Sequence, residues 1–302
     1  MKKIGAAVGI VILLLGASWL LFHKSIKRLL RGAGEVSTGR FQDPEGLAVD
    51  AAGRIYVSDE DRGTLTVLSP EGATLRTFKR DFLHGDSLVA RGLDRVVTIG
   101  EQELWILDFS SEEVRTVGRI ETSSKPGTVT DPEGLAEDPA TGELFMTIED
   151  ARRVRVVDRD GRFLRDFAVE HDPEGIGLLP DGRVIVTFSK DDYCRIYSKE
   201  GTPGIRFGRT GQALGEFRNP DYVKVGPDGR IYITDQKNHR IQVFDKDLNP
   251  ILGIGRRGRG PVEFEDPEDL AFDPQGRLLV ADGGNHRIQI LTLHGAFVGE
   301  IR

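Results

Sequence analysis

After Phe41 the chain alternates short apolar runs with turn residues, and the alternation never lengthens into a helical period. The stretch from Asp221 to Ile254 shows the unit. Four apolar runs, Tyr222 to Val225, Arg230 to Thr234, Arg240 to Phe244 and Ile251 to Ile254, are separated by segments rich in Gly, Pro, Asp and Asn. Such short alternating runs bounded by turn residues predict half-buried strands joined tightly to one another. A helix would not tolerate this density of Gly and Pro.

The unit recurs along the chain. FQDPEGLAVDAAGRIYVSDED from residue 41, TDPEGLAEDPATGELFMTIED from 130, HDPEGIGLLPDGRVIVTFSKD from 171, RNPDYVKVGPDGRIYITDQKN from 218 and EDPEDLAFDPQGRLLVADGGN from 265 align on prolines at 44, 132, 173, 220 and 267. The first interval is about twice the others, and HGDSLVARGLDRVVTIGEQE from 84 fills it as a degenerate copy. Four strands recurring every ~40–50 residues are the mark of a propeller blade. The expected fold is therefore all-β, a six-bladed β-propeller with four-stranded antiparallel blades. The last run, Phe297 to Ile301, supplies an outer strand, so the ring need not borrow one from the N-terminal side.

The N-terminus follows a different pattern. Ile4 to Phe22 carries no charge and is flanked by Lys2 and Lys3 before it and Lys24, Lys27, Arg28 and Arg31 after it. A run of this length can just cross a bilayer as a transmembrane helix. Gly16-Ala17-Ser18 also admits a cleaved signal peptide, but the apolar run continues through Phe22, which favours an uncleaved anchor. The expected organisation is a membrane anchor with a basic flank at 1–31, a stalk at 32–40 and the propeller at 41–302. The flanking charges nearly balance, and an extracytoplasmic propeller is the expected orientation.

Composition narrows the function. The chain has a net charge of −7, and residues 1–31 hold six of its 41 Lys and Arg but none of its 48 Asp and Glu, so the propeller is more acidic than the whole. A nucleic-acid partner would need a basic stripe and is not expected. Cys194 is the one cysteine, which excludes an intrachain disulfide and a Cys-based metal cluster. No nucleophile elbow, Walker loop or dinucleotide fingerprint occurs.

The position after each repeat proline is acidic in every copy: Glu45, Glu133, Glu174, Asp221 and Glu268, with Asp86 in the degenerate one. In a propeller these positions form a ring at one mouth of the central channel. Like charges about one Debye length apart repel by on the order of 1–2 kcal/mol per pair where the dielectric is low. Protonation, ion pairs to loop Arg or Lys, or a bound cation would offset this, and clustered carboxylates suit Ca²⁺. Turn chemistry explains the Asp, Pro and Gly of Asp-Pro-Glu-Gly, with Asp before Pro in an extended turn entry, but makes no demand for the acid. A structural and a functional reading of the ring both stay open.

The loops between second and third strands bring Asp59, Glu60, Asp61, Glu149, Asp150, Asp191, Asp192, Asp235 and Asp282 toward the same mouth. Glu149 and Asp150 depart from the repeat pattern and join the ring acids as candidate metal ligands. Asp235, Asn238 and Arg240, and likewise Asp282, Asn285 and Arg287, read as structural ties from loop to strand. His239 and His286 recur with the repeat and also read as structural. His84 and His171 stand beside the mouth, as candidate general bases or metal ligands against the alternative of solvated loop histidines.

The segments FGRTGQALGEFRNP, GIGRRGRGPVEFEDP, TDQKNHRIQVFD and ADGGNHRIQILT resemble NHL repeats. The resemblance covers nearly all of the chain after the anchor, most specifically in blades 5 and 6 and least in blade 2. It implies a fold used mainly for binding, with a minority of enzymes. DPEGLAEDPATGELFMTIED with the following HDPEGIGLLPDGR is similar to motifs of calcium-dependent propeller phytases and phytase-like esterases, which implies metal ligation by Glu133, Glu149 and Asp150. Gluconolactonase-like propellers also place metal ligands after the repeat proline, mixing Glu, Asn and Asp. The amidating lyase propeller is similar in outline, but has His where this chain has its acids. The expected function is a membrane-tethered, non-enzymatic binding or scaffold module for a protein or small ligand, with Ca²⁺ or another cationic group at the acidic mouth. The alternative is a Ca²⁺-dependent hydrolase of lactones, esters or phosphoesters.

Overall fold

Six four-stranded antiparallel sheets, each built from consecutive segments of chain, make up the computed structural model. It describes residues 39–79, 87–100, 103–109, 115–121 and 132–302. The predicted anchor, most of the predicted stalk, His84 and Asp86 lie outside these residues. Gly39–Arg302 forms one compact unit. Among the described residues no helix is long and apolar enough to cross a membrane.

The inner strands are Pro44–Val49, Leu88–Arg91, Pro132–Glu137, Ile176–Leu178, Pro220–Val225 and Pro267–Phe272. Each contacts the inner strand of the next blade, and the contact between Pro267–Phe272 and Pro44–Val49 closes the ring. The second strands, such as Ile55–Asp59 and Ile231–Asp235, are buried along their whole length because blades press on both of their faces. The outer strands lie at the rim and expose Leu75, Phe163, Ile205 and Phe297. This gradient explains why the second runs read as continuous Ile, Val and Tyr while the fourth are mixed.

Local chemistry fixes the turns. At the end of the first inner strand, Asp50 Oδ1 accepts the N–H groups of Ala52 and Arg54, each at 2.9 Å, and Gly53 takes the positive φ of 81° that closes the turn. Between second and third strands, Ser189–Asp191, Gln236–Asn238 and Gly283–Asn285 form single 3₁₀ turns. Each ends in a left-handed residue, Asp192, His239 or His286. These three residues tie blade to blade. Asp192 Oδ1 accepts Asn219 N–H at 2.8 Å, His239 Nδ1 accepts Asp266 N–H at 3.3 Å, and His286 Nδ1 meets Gln42 O across the seam.

One expectation is corrected here. The residue before the repeat proline was expected to be extended, yet Asn219 and Asp266 have φ of 58° and 47°. The short interblade loop turns back onto the previous blade so that each N–H reaches the acceptor just described. Asn and Asp tolerate that conformation better than most residues.

The ring closes without a borrowed strand. All four strands of the sixth sheet come from the C-terminal segment, ending with Phe297–Ile301. Phe41, Leu47 and Val57 of blade 1 pack against Leu279, Ala281 and Ile301 of blade 6 in one buried cluster. Phe41, Phe217 and Phe264 occupy the same place before their inner strands and are all fully buried.

Candidate functional site

In blades 1, 3, 5 and 6 the acidic residues stand on β-bulges. Pro44 pairs with Asp59 and Leu47 with Val57, so Glu45 and Gly46 together oppose Ser58. The same two-against-one register sets Glu133–Gly134 against Thr147, Asp221–Tyr222 against Thr234, and Glu268–Asp269 against Ala281. A bulge leaves one residue outside the ladder and re-aims its side chain. Hydroxyls of the second strand hold it. Ser58, Thr147, Thr187 and Thr234 accept the N–H groups of Gly46, Gly134, Gly175 and Tyr222 at 2.9, 2.7, 2.7 and 2.7 Å. Thr187 Oγ1 also donates to Asp221 O at 2.5 Å, linking blade 4 to blade 5.

In blades 1, 4 and 5 the first residue of the adjoining loop reaches the ring. Gln236 Nε2 lies 3.2 Å from Asp221 Oδ2 and 2.9 Å from each oxygen of Glu268, so one amide spans two blades. Ser189 Oγ donates to Glu174 Oε2 at 2.6 Å. At blade 6 the loop position is Gly283, where a Cβ would come within 2.9 Å of Asp43 Oδ1 and 3.1 Å of Glu268 Cγ. The bare backbone there makes room for carboxylates from both sides of the seam. At blade 1 the loop position is Glu60, and Asp43, Glu45 and Glu60 bring carboxylate oxygens within 4.8 Å of one another.

Glu149 takes a different environment. It pairs with Lys190, which also lies 3.4 Å from Asp172, and Arg152 Nε sits 2.8 Å from the other oxygen of Asp172. Burial alone would raise the Asp172 carboxyl, but Arg152 and Lys190 outweigh it and hold it below the usual range. Asp150, close to this network, is pushed up by burial and by the charges of Glu149 and Asp172. His171 Nδ1 lies 2.8 Å from Asp191 Oδ2, with its ring edge-on to Phe188 and Tyr193.

The residues read as structural are so. Asp235 accepts from Arg218 N–H, Asn238, Arg240 and Gln242, and Asp282 from Glu265 N–H, Asn285, Arg287 and Gln289. Burial pushes both carboxyls up, and these donors pull them back.

The structure thus unites Asp221 with Glu268 through Gln236, and Glu45 with Asp43 and Glu60. It sets Glu149 with Lys190 and Asp172. Glu60 stood among the loop acids that sequence brought to this mouth; Ser189, Lys190, Gln236 and Gly283 did not. Ser189, Gln236 and Gly283 share the repeat position of Glu60, the residue after the second strand, and comparing that column across blades would have found them.

The family model described as NHL repeat matches residues 41–68, 217–244 and 264–291, the first three strands of blades 1, 5 and 6. No curated protein matches the chain. Solved structures are similar across most of it. A catalytically inactive virginiamycin B lyase from Staphylococcus aureus with quinupristin is 15% identical with a TM-score of 0.61, over 87% of this chain and 85% of that one. A streptogramin B lyase is 14% identical with a TM-score of 0.63, over 88% and 84%. A protein of unknown function from Bacteroides thetaiotaomicron is 14% identical with a TM-score of 0.69, over 85% and 71%. At these identities the likeness shows the fold alone.

Proposed function

We propose that this NHL-repeat propeller is a binding module, held at a membrane by residues 1–31, whose acidic mouth takes up a cation. The observation that carries the reading is the bulge shared by blades 1, 3, 5 and 6, which turns a carboxylate out of the ladder each time. A strand start needs neither the bulge nor the charge.

The donor set suits a hard cation. Asp43, Glu45 and Glu60 offer only oxygens, within 4.8 Å of one another, and Ca²⁺ accepts six to eight such ligands, with carbonyls and water completing the shell. The Asp221 and Glu268 carboxylates fit an ion less well, because Gln236 already donates to both. The wider ring, with Glu133 and Glu174, supplies a negative field that draws a cation or a Lys- or Arg-bearing partner toward the mouth. Bound Ca²⁺ would neutralise the blade 1 carboxylates and present an open coordination position to a ligand.

The chelator-stripped full chain provides the test. Saturating Ca²⁺ at about 100 times its Kd is expected to add about 2.7 kcal/mol of stability, read as a rise in melting temperature. Glu45→Gln with Glu60→Gln should abolish the rise. No shift with Ca²⁺, Mg²⁺ or Zn²⁺ sinks the cation reading.

His171 favours a second reading. Its Nδ1 lies 2.8 Å from Asp191 Oδ2 without making a hydrogen bond there, and Nε2 is the nitrogen left to serve as a base, as in a metal-dependent hydrolase. Turnover of lactone, aryl-ester or phosphoester substrates that needs metal and disappears in His171→Ala would establish it. Absence of turnover with all three classes removes it.

A further inference from the structure

Below the bulges the channel changes character. Three residues after the ring acids, the inner strands carry Ala48, Val89, Ala136, Gly177, Lys224 and Ala271. One residue after them stand Gly46, Ser87, Gly134, Gly175, Tyr222 and Asp269. Each set is uncharged except for one member, and the two exceptions meet. Lys224 Nζ lies 3.2 Å from Asp269 Oδ1, with the Asp269 side chain wholly buried and that of Lys224 21% exposed.

The fold does not need this pair. Ala or Gly fills the Lys224 position in four other blades, and Gly fills the Asp269 position in three. Asp269 accepts Leu47 N–H at 3.2 Å across the seam, but Ser87 does the same for Leu135 N–H, also at 3.2 Å, without a charge. A buried ion pair is a poor source of stability compared with apolar residues of the same volume.

Lys224 of the pair lines a cavity of about 630 Å³ at the end of the channel away from the acidic mouth, with Asp269 buried behind it. Its walls are mainly apolar, from residues such as Val49, Leu178, Val225 and Phe272. The other charges at this end are matched: Arg91 lies 2.9 Å from Glu137, and Lys199 pairs with Asp138. The Asp269 oxygens are occupied by Lys224, Leu270 N–H and Leu47 N–H. Lys224 has three N–H donors and spends one of them on Asp269. Lys224 lines the cavity, which leaves two donors available to a ligand there.

We propose that this cavity is a second binding site, for a small neutral apolar molecule bearing a carbonyl group, whose oxygen accepts a hydrogen bond from Lys224 while Asp269 fixes the lysine in place. The volume lies in the range of ligand pockets, and an apolar wall with one oriented polar donor is their usual construction. Neutral ligands are favoured over anions, because Asp269 already balances the Lys224 charge and the far mouth is ringed with carboxylates. The site is independent of the cation reading.

The probe is 2-octanone, with octanoate as its anionic counterpart, titrated into the full chain with and without chelator. The ketone should bind saturably, more tightly than octanoate, and with its carbonyl stretch moved to lower wavenumber. In Lys224→Met with Asp269→Asn, which removes both charges and keeps an acceptor for Leu47 N–H, affinity for the ketone should fall about tenfold, the loss expected for a hydrogen bond from a charged donor. Absence of saturable binding overturns the proposal. So does an unshifted carbonyl band, octanoate binding as tightly as the ketone, or a folded double variant that binds the ketone unchanged. If that variant does not fold, the carbonyl band and the octanoate comparison decide.

Discussion

Glu170 shows how one carboxylate can organise a blade edge. Its Oε1 accepts from Arg195 Nη1 at 2.7 Å and Tyr193 OH at 3.2 Å, and its Oε2 from Tyr197 OH. Burial would raise this carboxyl, but Arg195 and Tyr197 outweigh it and hold it below the usual range. A carboxyl lowered by folding contributes stability above its unfolded value near 4.5, and that contribution is lost as pH falls through the folded value. Glu170→Gln is therefore expected to cost about 1–3 kcal/mol at pH 7, with the gap to the parent chain closing below pH 4.5, as read by urea melts across pH. At this scale the sequence told charges by type and place in the repeat, and Asp235 and Asp282 were correctly read as ties. It could not show Gln236 bridging two blades or Lys190 meeting Glu149, since each contact joins residues on different blades.

At the scale of elements, strands and their order were legible because alternation and turn residues repeat together. The bulges were not, since Pro-Glu-Gly followed by apolar residues reads as an ordinary strand start. The glycines carry the missing information. A Cβ on Gly134 would stand 2.7 Å from Glu174 O, and one on Gly175 would overlap Asp221 O, whereas at Gly299 it would meet nothing within 4 Å. The two close approaches are backbone against backbone, so neither partner can rotate away. Gly175→Ala should lose about 3 kcal/mol or more in chemical denaturation, and Gly299→Ala should stay within about 0.5 kcal/mol of the parent. Equal losses at the two sites would remove the argument that close interblade approach requires Gly after the ring acid.

For the whole molecule, closure rests on non-covalent contacts between blades 6 and 1. Phe41 is the largest apolar side chain in that cluster and is 1% exposed. Phe41→Ala should cost about 3–5 kcal/mol, and hydrogen exchange should lose protection first in Pro44–Val49 and Phe297–Ile301 together. Loss confined to blade 1 would show that the seam is held elsewhere. That the ring closes with an outer strand of its own was legible from the position of the last apolar run. The degenerate second blade was legible only by arithmetic, from a doubled interval between prolines.

The seam also makes neighbours of the three blades that match the repeat family, since blade 6 abuts blade 1 although they lie at opposite ends of the sequence. Half of the disc thus follows one repeat pattern, varied at the mouth by Glu60, Gln236 and Gly283. The other half, blades 2 to 4, departs further from the pattern and contains the His171–Asp191 pair and the Lys190 network. A partner that must settle in a single orientation can read it from that irregular half and from the carboxylate cluster that marks blade 1.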